Sequence, residues 1–320
     1  MLFRSKGEAA QIEYIQLPCY AGPKIDGVRC LVFGGVAYTA SMEPHGNLFV
    51  QKWAKEHAEA LEGLDGEIAV GEINDPLVFK HTAGALNRKD GEPDFTFWDF
   101  DVAGMAGPYE ERCEHLFWSE DRAIPRVEYV KSFYLGDREE LAKVVKLHVS
   151  QGYEGTMVRS PEGPYKFGRS TIKEGYLLKL KSFIDNEAEI LGVVEEMRNM
   201  NKAEKDAMGR TKRSSAKAGK VGKGTLGKFL CRGLNGKFRG VEFSVSTGVL
   251  TKEQKQSLWT YKDGAGTGGI PPEDPRTIPR GPLVGQCITY SHMEHSAGYT
   301  KPRHAGFMRF RARNDICTDY

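Results

Sequence analysis

The sequence predicts an α+β domain followed by a small all-β barrel, and three observations lead there. From Pro18 to about Phe183, short β-like runs ("VRCLVFGGVAYT", "DGEIAV", "FTFWDFDV", "GTMVRS", "YLLKLKSF") are separated by helical stretches such as "VQKWAKEHAEALE" and "REELAKVVKLHVSQ". Around Ile184 the texture changes to "DNEAEILGVVEEM", followed by "GKFLCRGL", "GKFRGVEFSVSTG" and "LVGQCITYSHME", which read as the strands of a turn-rich barrel. At 320 residues and 40% hydrophobic, the chain has the length and apolar content for two ordinary cores. The domains are placed at residues 1–185 and 186–320, and no internal repeat or heptad pattern is present.

Bulk properties narrow the function. A formal charge of +2 excludes a global basic field, so any nucleic-acid surface is local. The six cysteines (Cys19, Cys30, Cys113, Cys231, Cys287, Cys317) show neither C-x-x-C pairs nor Cys/His ligand spacing, which argues against zinc and a disulfide framework and for reduced thiols in a cytosolic protein. The opening "MLFRSKGEAAQIEY" lacks an apolar signal core, and no stretch approaches the ~20 apolar residues that span a bilayer. The expectation is a soluble protein with no membrane partner.

Along the first domain, the earliest strand runs into "YAGPKIDGVRC", where Lys24-Ile25-Asp26-Gly27-Val28-Arg29 has the form K-x-D-G-x-R. Its bland reading is a lysine paired with an aspartate in a strand-turn. Its functional reading is a covalent nucleophile towards phosphorus, with Arg29 holding the nucleotide and Gly27 admitting close backbone approach. Phosphoryl chemistry needs partners that neutralise charge. "LDGEIAV" offers Glu67 on a probable strand, "GYEGTMVRS" offers Glu154 on another, and "YLLKLKSF" puts Lys179 and Lys181 two apart, on one face of a strand. Carboxylates can hold ribose hydroxyls and Mg²⁺, while paired lysines can bind an α-phosphate and lower the pKa of Lys24 by like-charge repulsion. Trp98 in "FTFWDF" is by itself a core aromatic.

In the second domain, residues 198–223 ("RNMNKAEKDAMGRTKRSSAKAGKVGK") carry nine basic and two acidic residues and almost nothing to pack. Such a segment is either a solvated, disordered loop or one that orders on a polyanion. The Gly/Pro-rich "YKDGAGTGGIPPEDPRTIPRGP" reads as a surface connection, and the arginine-rich tail "FMRFRARND" as solvated.

Together and in this order, "YAGPKIDGVR", "DGEIAV", "EGTMVRSPEGPYKFGRSTIKEGYLLKLKSF" and "PRHAGFMRFRARND" resemble the covalent nucleotidyltransferase superfamily, and within it the minimal ATP-dependent DNA ligases of the chlorella-virus or phage type. The resemblance implies an ATP-grasp-like nucleotidyltransferase (adenylation) domain followed by an all-β OB-fold barrel. It implies Lys24 as the nucleophile that becomes lysyl-AMP, with Asp26, Arg29, Lys179 and Lys181 as further catalytic residues. ATP would be held by Tyr20, Ala21, Pro23, Lys24, Arg29, Glu67, Trp98, Glu154, Lys179, Lys181 and Arg311, with Glu67 on the ribose and Trp98 stacked on adenine. Glu67 and Glu154 would hold Mg²⁺ or Mn²⁺. Arg29, Arg169 and Lys173 would meet nicked duplex DNA, and the basic segment, through Lys202, Lys205, Arg210, Lys212, Arg213, Lys217 and Lys220, would close on it as a latch.

Two positions depart from the family pattern. The strand after the nucleophile motif has Thr39-Ala40 where the family has Ser-Arg, so that Ala40→Arg is expected to tighten nick binding. Asp315 is followed by Ile316 rather than a base, while Arg309, Arg311 and Arg313 keep the motif's cations. The implied activity is sealing of 3′-OH/5′-phosphate nicks by a monomer with no obligate protein partner, in the cytoplasm, a bacterial host's if the gene is a phage's. The rival readings are an RNA ligase, a GTP-dependent capping enzyme, or a nucleic-acid binding module whose lysine site is dead.

Overall fold

The computed structural model describes residues 5–6, 8–9, 11–119, 124–181, 183–206, 209–261, 283–293 and 298–311. Most of the Gly/Pro-rich segment and the tail positions Arg313, Asp315, Ile316 and Cys317 lie outside them. The chain divides into two compact units, Met1–Ser182 with Lys205–Arg210, and Phe183–Glu204 with Thr211–Tyr320.

The strands of the first unit are β1 (Ser5–Lys6), β2 (Glu8–Ala9), β3 (Cys19–Pro23), β4 (Val28–Phe33), β5 (Val36–Tyr38), β6 (Leu64–Val70), β7 (Phe95–Val102), β8 (Val127–Tyr129), β9 (Phe133–Leu135), β10 (Thr156–Arg159), β11 (Gly168–Arg169) and β12 (Leu177–Leu180). Its helices are α1 (Leu48–Glu56), α2 (Ala58–Leu61), α3 (Val78–Leu86), α4 (Tyr109–Ser119) and α5 (Arg138–Ser150). Two five-stranded sheets, β2-β12-β10-β3-β9 and β5-β4-β6-β7-β8, form its frame. Alternation along β3 sends Cys19 and Ala21 into a core shared with Leu141 and Val144 of α5 and Val158 of β10. The second sheet packs Cys30, Ile68 and Phe97 against Trp53 of α1, Leu86 of α3 and Leu116 of α4.

Local signals explain the elements. Asn47 caps α1 by accepting from Val50 N–H at 3.0 Å, and Asp137 caps α5 with acidic Glu139 and Glu140 in the first turn, where the helix dipole favours them. The expected single helix over "VQKWAKEHAEALE" is broken at His57 into α1 and α2. Gly34 and Gly35, with φ +54° and +70°, make the tight turn between β4 and β5.

The second unit contains β13 (Phe183–Asn199), β14 (Ala203–Lys205), β15 (Thr211–Arg213), β16 (Lys220–Gly233), β17 (Glu242–Ser246), β18 (Cys287–Met293), β19 (Gly306–Arg311) and α6 (Lys252–Tyr261). Five strands close a barrel in the order β13-β16-β17-β19-β18 around Ile190, Phe229, Val245, Ile288 and Phe307. Five barrel strands in that order, with α6 between the third and the fourth, are the OB-fold.

The basic segment is neither disordered nor a plain loop in its described part. Strands β13 and β16 run on past the barrel, pairing Met197 with Gly222 and Asn199 with Lys220, and β14 pairs with β15 beyond them. Polar side chains hold this ribbon where apolar ones are lacking: the amides of Asn199 and Asn201 each donate to the Ser214 carbonyl at 2.9 Å, and Asn201 also donates to the Ala216 carbonyl.

Candidate active site

Three neighbouring strands bring Lys24, Glu154 and Lys181 to one end of a sheet. The register sets Pro23 beside Thr156 and Thr156 beside Leu180, so residues just past that row converge. The backbone fixes the arrangement: Lys24 N–H donates to the Gly155 carbonyl at 2.9 Å, and Glu154 N–H to the Lys24 carbonyl at 3.2 Å. A Cβ on Gly155 would stand 2.2 Å from the Leu180 carbonyl, so only glycine allows this approach. One carboxylate oxygen of Glu154 accepts from Lys24 Nζ and the other from Lys181 Nζ. Glu154 is only 5% exposed. Burial alone would raise its pKa, but the two ammonium groups outweigh that and hold it at about 2.

The second sheet supplies the facing groups. Register puts Arg29 opposite Glu67 and Glu67 opposite Trp98. Gly27 lets the loop close onto β6, since a Cβ there would meet the Ile68 carbonyl at 2.4 Å and Glu67 Cγ at 2.7 Å. Arg29 makes a bidentate pair with Asp65, which is fully buried and also accepts from the Tyr165 hydroxyl at 2.7 Å. Burial pushes the Asp65 carboxyl up, an effect that Arg29 and Tyr165 oppose. Glu67 is raised to about 7 by burial, against the pull of Arg29 and Lys24.

Between these groups lies a pocket of about 200 Å³. Lys24, Arg29, Glu67, Arg159 and Lys179 line it together with an apolar wall of Phe100, Val130, Met157 and Leu177. A flat apolar surface beside a cluster of cations suits a nucleotide, with the base on the wall and the phosphates among the cations. Phe100 reaches the pocket from a β-bulge: Asp65 pairs with Asp101 and Gly66 with Asp99, leaving Phe100 as the extra residue. Arg29 lies 4.6 Å and Arg159 5.2 Å from its ring centroid. Beneath it, buried Asp101 accepts from Arg112 Nε and from Arg159 Nη1, each at 2.7 Å, so the bulge rests on an Arg–Asp–Arg triad.

The structure brings together Lys24, Arg29, Glu67, Lys179 and Pro23 in the pocket lining, and joins Glu154 and Lys181 to Lys24. Asp26 is half-buried on the loop beside Lys24. Three residues expected at the cofactor lie outside the pocket lining. Trp98 does not line the pocket, because the aromatic that does is the bulged Phe100. Ala21 points into the core against α5 and is fully buried. Tyr20 packs edge-on against Tyr109 and Tyr134 and donates to Glu110, lining a different hollow. Ala40 is half-buried in the turn after β5.

Arg169 and Lys173 are exposed and away from the pocket lining. Lys202, Lys205, Arg210, Lys212, Arg213 and Lys217 are exposed on the ribbon, and Lys220 is half-buried at its base. Arg311 pairs at 3.1 Å with the buried Glu187 of the barrel. Among the described residues no cluster of three or more His, Cys, Asp or Glu could hold a metal ion.

Sequence reasoning missed Phe100, Asp65 and Arg159. "FWDFDV" holds two aromatic-aspartate pairs, Trp98-Asp99 and Phe100-Asp101, and only the bulge decides between them. Asp65 was visible two residues before Glu67 on the same strand face, and Arg159 closes "GTMVR" five residues after Glu154.

No protein-family model matches the chain. A DNA ligase of African swine fever virus (isolate Pig/Kenya/KEN-50/1950) is 28% identical over 129 residues, 39% of this chain and 30% of that protein. The DNA ligase of isolate Warthog/Namibia/Wart80/1980 is 27% identical over 129 residues. The match thus spans under a third of the length of these curated relatives. Among solved structures, the chlorella virus DNA ligase-adenylate is 24% identical with a TM-score of 0.51, covering 97% of this chain and 100% of that one. A structure of the Lig E DNA ligases is 20% identical with a TM-score of 0.68 and the same coverages. Among the described residues no helix is long and apolar enough to cross a membrane. What the chain shares with these solved structures is the fold.

Proposed function

We propose that this chain is an ATP-dependent DNA ligase that seals 3′-OH/5′-phosphate nicks in duplex DNA as a monomer. The observation that carries the reading is Lys24 ion-paired to a buried carboxylate that it shares with Lys181, at the edge of a pocket with a cationic end and an apolar wall. Glu154, held at about 2, is a poor base and serves as an anchor that keeps Nζ aimed until the nucleotide arrives.

Lys24 Nζ, after losing a proton to water, bonds to the α-phosphorus as the α–β anhydride bond breaks and pyrophosphate leaves. An oxygen of the nick's 5′-phosphate then takes the adenylyl phosphorus from Lys24, and the P–N bond breaks. Finally the 3′-hydroxyl loses its proton and attacks the 5′-phosphorus, forming the phosphodiester as AMP departs. Lys179 and Lys181 offset charge on the α-phosphate, Phe100 stacks on the adenine, and Glu67 binds the ribose. Arg29, fixed by Asp65, adds its charge near the phosphate oxygens, and exposed Arg169 and Lys173 add charge for the DNA. Mg²⁺ or Mn²⁺ held by Glu67 and Glu154 would neutralise phosphate charge. The ribbon supplies sequence-independent phosphate contacts.

The test incubates wild type and Lys24→Ala with Mg²⁺ and α-labelled ATP or GTP, then chases with singly nicked DNA bearing a 5′-phosphate. Label from ATP on wild type alone, discharged as sealed DNA appears, is the expected result. A GTP adduct would replace the reading with capping, an ATP adduct discharged only by RNA ends with an RNA ligase, and no adduct with a binding protein.

A further inference from the structure

We propose that Ser132 reads the base of the bound nucleotide, its hydroxyl accepting a hydrogen bond from the exocyclic 6-amino group of adenine; the inference rests on the ATP-dependent reading above. Ser132 is the one described lining residue of the pocket with a neutral hydrogen-bonding side chain, the others being charged, apolar or glycine. A phosphate or a ribose is matched by the charged groups, whereas a base edge carries neutral donors and acceptors and needs a neutral partner. Among the described residues the Ser132 hydroxyl makes no hydrogen bond, so its capacity is open.

Two neighbours place that hydroxyl. Gly22 also lines the pocket, and a Cβ built on it would stand 2.6 Å from Ser132 Oγ. The hydroxyl therefore occupies the volume that a side chain at position 22 would take. Gly22 is two residues before Lys24 on an extended strand, about 7 Å away and on the same face, a span that lets a base lie beside Gly22 when the α-phosphate is at Lys24. The segment carrying Ser132 is tied to the stacking residue as well: Val130 N–H donates to the Asp99 carbonyl at 2.9 Å, next to Phe100 in the bulge. Stacking ring and hydroxyl are thus held in one frame, which is what reading the edge of a stacked ring requires.

The experiment measures single-turnover lysyl-adduct formation at subsaturating nucleotide. It compares ATP with the purine ribonucleoside triphosphate that lacks the 6-amino group, in wild type, Ser132→Ala, Gly22→Ala and the double variant. Wild type should favour ATP by about 2- to 13-fold, the worth of one net hydrogen bond. Ser132→Ala should lower ATP to the level of the analogue and leave the analogue's own rate unchanged. Gly22→Ala, whose methyl displaces Oγ, should slow ATP in the wild-type background and have little effect once Ser132 is alanine. Equal slowing of both nucleotides by Ser132→Ala, no change for ATP, or additive effects of the two substitutions would overturn the assignment. An absence of any adduct on wild type would instead overturn the ligase reading on which it stands.

Discussion

Glu154 and Glu67 belong to one site yet titrate in opposite directions, and this fixes how stability follows pH. Glu154 falls from its ordinary 4.5 to about 2, so its pairing with Lys24 and Lys181 stabilises the fold above about pH 4.5 and is lost as pH falls through 2. Glu67 rises from 4.5 to about 7, so its charged form opposes folding, and stability present below 4.5 is lost as pH rises through 7. Thermal unfolding of Glu67→Gln should therefore match wild type near about pH 5 and exceed it at about pH 8.5, whereas Glu154→Gln should melt lower at neutral pH, with the deficit closing below about pH 4. Gly27→Ala belongs to the same scale: its methyl would sit 2.4 Å from the Ile68 carbonyl, a backbone atom that cannot swing aside. A loss of about 1–3 kcal/mol, or more, is expected by urea unfolding. Lys24, Glu67 and Glu154 stand out in the sequence because each falls in a motif that carries the resemblance, Lys24 and Glu154 just outside strand ends and Glu67 within β6. The pairing of Glu154 with two lysines does not, since it depends on the register of β3, β10 and β12.

Among the elements, β7 shows where pattern reading reaches its limit. Alternating burial over Phe95–Val102 marks a strand without ambiguity. The resemblance implies Trp98 as the stacking aromatic, whereas a one-residue bulge, invisible in the alternation, is what sets Phe100 in the pocket lining. The triad beneath the bulge makes its own prediction. Arg112 is 2% exposed and donates to Asp101 and to the Gly107 and Gly163 carbonyls. Arg112→Ala should cost about 3 kcal/mol in chemical denaturation, because it removes one of the two cations paired with a buried carboxylate. It should also lower nucleotide affinity, read by titration with ATP, by loosening Phe100 and Arg159 together. Phe100→Ala should weaken ATP binding far more than Trp98→Ala, in the same titration.

For the molecule as a whole, the change of texture near Ile184 falls where the chain passes from the two five-stranded sheets to the closed five-stranded barrel. What composition hid was order within the basic segment, because its ribbon is secured by backbone pairing and asparagine amides rather than by apolar residues. Removing residues 201–219 and joining the strands by a short turn should leave lysyl-adduct formation intact and weaken binding to nicked DNA. If the six exposed cations of the ribbon all meet phosphate, the slope of log affinity against log salt should shrink by about 5, measured by titration across salt concentrations. Because β13 and β16 each pass from barrel to ribbon as one strand, with register shifts between Ile190 and Gly192 and between Val194 and Met197, the ribbon's reach beyond those shifts is quantised. Two residues inserted in each strand would extend it by about 7 Å and return every side chain to its original face. One residue in each would turn the cations over. The hairpin is in this sense a ruler cut in two-residue divisions, whose length can be reset without re-engineering the barrel it is drawn from.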